Sequence, residues 1–97
     1  MESPKHADRE VRTMADITIY LTRWCPFCNR AVALLDSKQA KYTAIDVDTD
    51  PALREAMVAR SGRRTVPQIF IGETHIGGCD DLFALERQGK LDSLIDA

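Results

Sequence analysis

Cys25 and Cys28 stand three residues apart, with Pro26 and Phe27 between them. A cysteine acts as nucleophile or metal ligand only as the thiolate, so its surroundings decide what it can do. Upstream, Ile17 to Leu21 alternates in the manner of a strand; downstream, apolar residues recur with helical spacing. The motif therefore falls at a strand-to-helix junction. Pro26 suits the first helical position, where its missing N–H costs little. A cysteine just before it faces unpaired backbone amides and the positive end of the helix dipole, and both favour thiolate over thiol. Cysteines so placed titrate at about 3.5–7.5 rather than about 8.5, and a shift of three units corresponds to roughly 4 kcal/mol. Cys25 is thus the expected nucleophile, with Arg23 adding positive charge two residues upstream. Cys28, one turn on and deeper, either resolves a mixed disulfide or donates a weak hydrogen bond to the Cys25 sulfur.

The competing reading of the pair is half of a zinc site. A structural zinc needs four ligands, and no second pair with this spacing exists. Cys79, His6 and His75 are the remaining soft donors, and none pairs with another at finger spacing. No metal is expected.

Two further stretches could line a site. In Thr65-Val66-Pro67, a proline opening a strand lacks its ladder N–H. Its peptide bond is trans in the commoner form and cis in the form that turns the Val66 backbone outward to pair with an extended ligand. Gly77-Gly78-Cys79-Asp80-Asp81 is a glycine turn feeding a helix start, where free amides can bind a carboxylate and Asp81 can pair with an ammonium group. Either stretch alone also reads as an ordinary turn, with Asp80 a helix cap.

The elements that must position these residues follow from periodicity and punctuation. A strand over 17–21 leads into a helix from Pro26 to about Lys38, with Phe27, Ala31, Leu34 and Leu35 on one face. Tyr42 to Asp46 is a second strand. Asp50 caps and Pro51 opens a second helix that carries Leu53, Ala56 and Met57 and ends at Gly62. Gln68 to Ile71 and Thr74 to Ile76 form a hairpin about Gly72-Glu73. A helix from near Asp80 carries Leu82, Phe83 and Leu85 and stops at Gly89. Leu91, Leu94 and Ile95 suggest a last short helix. The order implies an α/β fold, a four-stranded mixed sheet flanked by helices.

The 97 residues suit one domain. Residues 1–15 read as a flexible polar tail and 16–97 as the domain, with Met14 an alternative start. Hydrophobic residues make up 44% and charged residues 29%, with a net charge of −2. This balance suggests neither nucleic acid nor an anionic membrane as partner, and no apolar run nears the roughly 20 residues of a membrane span. The first 16 residues lack a signal peptide's apolar middle, and Glu2, Asp8, Glu10 and Asp16 argue against a transit peptide. A cytoplasmic location is expected. Three cysteines in a reducing compartment point to reactive thiols, a metal site or core residues, not to a disulfide framework.

Together, Cys25-Pro26-Phe27-Cys28, Thr65-Val66-Pro67-Gln68-Ile69-Phe70-Ile71-Gly72 and His75-Ile76-Gly77-Gly78-Cys79-Asp80-Asp81-Leu82 resemble the glutaredoxin family, in order and spacing, from about Ile17 to Ile95. The resemblance implies a thioredoxin-like fold with Pro67 cis beside the cysteines. It implies a monomeric glutathione–disulfide oxidoreductase whose partners are glutathione, as co-substrate, and glutathionylated or disulfide-bonded proteins. Its potential is expected near about −200 to −230 mV. By the same resemblance Thr65 and Val66 hold the cysteinyl backbone of glutathione. Gly78, Cys79 and Asp81 hold its γ-glutamyl end, Phe27 (in the place of the usual tyrosine) packs against it, and Arg64 faces its glycine carboxylate. The family's usual lysine three residues before the first cysteine is Thr22 here, so Arg23 or Arg64 supplies that charge. Cys79 is a non-catalytic family position. Two alternatives stand beside this reading. One is an iron–sulfur cluster carrier, which a proline after the first cysteine disfavours in the family. The other is a thioredoxin-like electron donor served by a flavoprotein reductase; Trp24 resembles thioredoxins, but Pro26-Phe27 does not.

Overall fold

The computed structural model describes residues 15–96. The reading of residues 1–14 as a tail, and of Met14 as a start, falls outside them. Ala15, read with the tail, packs against the core.

Strand β1 (Ile17–Leu21) is followed by helix α1 (Pro26–Ser37), strand β2 (Thr43–Asp46) and helix α2 (Pro51–Ser61). Strands β3 (Gln68–Ile71) and β4 (Thr74–Gly77) then form a hairpin, and helices α3 (Cys79–Arg87) and α4 (Leu91–Asp96) complete the described chain. The sheet runs in the order β2-β1-β3-β4. β1 and β2 are parallel, and β3 is antiparallel to both β1 and β4. The expected four-stranded mixed sheet is the one observed.

Side-chain alternation divides the core between the two faces of the sheet. Ile17, Ile19, Ile69 and Ile71 pack on one face with Ala31 and Leu35 of α1, Leu82 of α3 and Leu91 and Ile95 of α4. Tyr20 and Phe70 pack on the other with Val47 and Met57. β3 is buried at all four positions because helices cover both of its faces. No helix among the described residues is long and apolar enough to cross a membrane.

Helix ends follow local chemistry. The Asp50 carboxylate accepts from the Ala52 N–H at 2.9 Å, Pro51 opens α2, and Gly62 closes it at φ 76°. At the end of α1, Lys38 Nζ bridges Glu86 of α3 and Asp92 of α4, each at 2.8 Å. Two sequence expectations need correction. On α1, Ala31 and Leu35 are buried and Leu34 packs against the core as expected, but the first-turn member of the stripe is Cys28, and Phe27 is 54% exposed. On α2, Ala56 is exposed, and the buried residue is Met57.

Packing outweighs capping here, so the two kinds of substitution separate. Leu35→Ala, at a fully buried position, is expected to lower unfolding stability in urea by about 2–5 kcal/mol. Asp50→Ala removes one exposed cap bond and is expected to cost about 1 kcal/mol.

Candidate active site

Strand pairing gathers the site. Tyr20 near the end of β1 lies opposite Gln68 at the start of β3, and Ile69 lies opposite Gly77 at the end of β4. The chain leaving β1, the chain entering β3 and the chain leaving β4 therefore meet at one end of the sheet. Those segments carry Cys25, Thr65 to Pro67, and Gly78 to Asp81.

Cys25 is the N-cap of α1, in extended conformation, with Pro26 as the first helical residue. Its sulfur accepts the Cys28 N–H at 3.1 Å. Here sulfur does what a serine or aspartate oxygen does at other helix starts, and negative charge on it is stabilised by that N–H and by the helix dipole. The same sulfur is 3.9 Å from the Val66 carbonyl oxygen, and the Val66–Pro67 bond is cis. Cys25 is 9% exposed at the molecular surface, while Cys28 is 1% exposed behind it. Burial, reinforced by a side-chain hydrogen bond with Cys25, pushes the Cys28 thiol up to about 12. Cys28 thus keeps its proton at neutral pH.

Beside these thiols lies an open groove of about 200 Å³, lined by Phe27, Arg63, Thr65, Val66, Pro67, Gln68, Gly78, Cys79, Asp80 and Asp81. Phe27 forms one wall, which explains its exposure. The Cys79 side chain is buried, and burial raises its thiol above the usual range. Gly77 carries a φ of 119°, and a Cβ there would collide with the Asp81 carboxylate. That carboxylate accepts the Gly78 N–H at 2.9 Å and lies 3.4 Å from Arg63 Nη1. One rim of the groove is therefore a glycine turn with an anion beside it. Asp81 can meet an ammonium group there, and backbone amides can meet a carboxylate.

The two arginines expected to supply charge do not line this groove. Arg23 is exposed, with its guanidinium 5.9 Å from the centre of the Trp24 ring. Arg64 lines a larger hollow of about 550 Å³ between the β2–α2 loop and α2, away from the thiols. Its backbone is tied there, because Arg54 Nη1 donates to the Arg64 carbonyl at 2.9 Å. The cation in the groove is Arg63. Sequence reading missed it, because Arg63 and Arg64 are neighbours in a loop and only contacts with distant segments decide which one faces the groove. Gln68 was likewise read only as a strand residue. Among the described residues, no group of three or more His, Cys, Asp or Glu side chains is arranged to hold a metal ion.

Comparison with known proteins agrees with this geometry. The family model described as Glutaredoxin matches residues 17–76. A glutaredoxin of Pseudomonas aeruginosa is 54% identical over 84 residues, covering 87% of this chain and 100% of the relative. The solution structure of glutaredoxin from Brucella melitensis superposes with a TM-score of 0.77 at 56% identity, covering 87% of this chain and 91% of that one. The crystal structure of a buckwheat glutaredoxin–glutathione complex gives 0.77 at 31% identity, covering 93% and 84%. The thioredoxin-like architecture expected from the motifs is the one these structures share. The chain belongs to the glutaredoxin family, whose members are thiol oxidoreductases.

Proposed function

We propose that this protein is a glutathione-dependent thiol–disulfide oxidoreductase that removes glutathione from protein mixed disulfides and reduces protein disulfides. The observation that carries the reading is the unequal treatment of two neighbouring thiols at one helix start. The Cys28 N–H supports charge on the Cys25 sulfur at 3.1 Å, while burial keeps the Cys28 thiol protonated. The groove next to them offers the Thr65–Val66 backbone before the cis proline and a glycine turn with Asp81. These suit a short peptide with a free amino acid end, and a relative of the same fold is described in complex with glutathione.

The Cys25 thiolate attacks the glutathione sulfur of a protein–glutathione disulfide. The Cys25–glutathione bond forms, the old S–S bond breaks, and the protein leaves as a thiolate that takes up a proton. A second glutathione thiolate attacks the glutathione sulfur held on Cys25, releasing oxidised glutathione and the Cys25 thiolate. For a protein disulfide, Cys25 forms a mixed disulfide with the protein. Cys28 then gives up its proton, attacks the Cys25 sulfur and expels the second protein thiol. Two glutathiones reduce the resulting Cys25–Cys28 disulfide. Thr65, Val66, Pro67, Gly78, Cys79, Asp81, Phe27 and Arg63 bind the glutathione moiety in this scheme. Arg64 and Arg23 stay outside the groove. In this reading the protein acts in the cytoplasm as a monomer, with soluble glutathione as its reductant.

Cys25→Ser is expected to abolish release of glutathione from a glutathionylated peptide. Cys28→Ser is expected to retain that activity and lose reduction of a protein disulfide. An active Cys25→Ser protein, or equal loss of both activities in Cys28→Ser, would refute the scheme.

Alkaline pH offers a second check. The Cys28 thiol titrates at 9.0 in its ordinary state and at about 12 in the fold. Between these values the unfolded chain has released a proton that the folded chain keeps, so stability falls as pH rises. Urea unfolding from pH 8.5 to 10.5 should show this decline, and Cys28→Ser should make it shallower, the buried Cys79 thiol keeping a part of the same sign. At pH 7, iodoacetamide should label Cys25 and spare Cys28, as read by mass spectrometry of tryptic peptides.

A further inference from the structure

Gln68 is the buried polar residue of the described core, at 1% exposure. An amide placed there costs free energy unless its hydrogen bonds are met, and a methionine would fill the same space without that demand. Its side-chain bonds run to Thr65 at the groove and to His75 across the hairpin. Gln68 Nε2 donates to the Thr65 carbonyl at 3.0 Å and to Thr65 Oγ1 at 3.2 Å. Its Oε1 lies 2.7 Å from His75 Nε2. Because Nε2 of Gln68 faces Thr65, Oε1 is left to accept, so His75 carries its proton on Nε2. The His75 ring lies against Phe70 with centroids 4.9 Å apart, and Arg60 covers Phe70 at 4.0 Å. The chain His75–Gln68–Thr65 therefore joins the packed face of the sheet to an exposed loop at the groove.

We propose that Gln68 and His75 are positioning residues: a buried polar strut that holds Thr65, and with it the Val66 peptide, in the geometry that receives the glutathione moiety. The proposal rests on the glutathione-dependent function above. Thr65 is exposed and has no apolar burial to hold it, and the β3 ladder begins only at Gln68. The two bonds from Gln68 fix its carbonyl and hydroxyl, while Arg54 holds the Arg64 carbonyl before it. Neither strut residue takes part in sulfur transfer, so the strut acts on substrate binding and leaves the Cys25 thiol alone.

Three variants separate this role from plain stability. Gln68→Met keeps the volume and removes both ends of the strut. His75→Phe keeps the ring against Phe70 and removes the donor. His75→Gln restores an amide donor. With a glutathionylated peptide as substrate, Gln68→Met is expected to raise KM about five- to tenfold and His75→Phe about threefold, the range of one or two lost hydrogen bonds. In both, kcat stays within about twofold, and the rate of Cys25 alkylation by iodoacetamide matches wild type. His75→Gln is expected to return KM toward wild type. If Gln68→Met does not fold, the His75 pair carries the test. An unchanged KM in a folded His75→Phe protein, or a parallel fall in kcat and alkylation rate, overturns the strut. A wild type that fails to turn the peptide over overturns the function and this role together.

Discussion

The Cys28 amide points at the Cys25 sulfur across 3.1 Å, and the site is arranged around that contact. It exists because Pro26 starts the helix directly after Cys25, leaving the first-turn amides without intrahelical partners. One helix start then treats two thiols in opposite ways. The outer sulfur receives an N–H and the positive end of the dipole. The inner one is on the buried stripe with Ala31 and Leu35, where charge is costly and the proton stays on. Two unequally placed thiols three residues apart are thus a consequence of helical geometry and burial.

Strand direction does the rest of the assembly. β3 is antiparallel to both of its neighbours, so the exit of β1, the entry of β3 and the exit of β4 share one end of the sheet. Residues more than 50 positions apart in sequence meet there without any long connection. The close approach at Gly77 shows how tight the junction is, since a side chain at that position would occupy the place of the Asp81 carboxylate. Asp81 in turn holds the Gly78 amide and sits within reach of Arg63, so the charged rim and the turn are one unit.

The polar interior of the sheet serves the same end. Gln68 interrupts an otherwise apolar strand, with its amide satisfied on both sides. His75 stays neutral there because burial, aided by the nearby Arg63 charge, disfavours its protonated form and pushes its pKa down. The larger hollow along α2, by contrast, has no thiol in its walls, and its two arginines are near Asp48 and Glu55. Size alone does not identify the reactive end of this molecule; the position of the sulfurs does.

Local signals in the sequence were enough to determine the elements and to single out Cys25 as the candidate nucleophile. The Cys25-Pro26 junction, the Asp50-Pro51 cap, the Gly62 stop and the alternation of Ile17 to Leu21 each act over a few residues, so they are legible without a fold. The motifs around Pro67 and Gly78 were legible as well, through their likeness to a known family. Tertiary structure decided which side chains face the groove. Arg64 looked like its cation, but its backbone is tied to Arg54 of α2 and its side chain lies along the other hollow. Arg63 faces Asp81 instead. Phe27 has helical spacing with Ala31, but Cys28 takes the buried position of the first turn, and the Phe27 ring becomes a groove wall. The role of Gln68 needed His75, seven residues away across a hairpin, to become visible. Backbone preferences are local energies and can be read along the chain; the direction of a side chain at a junction is set by contacts with segments distant in sequence.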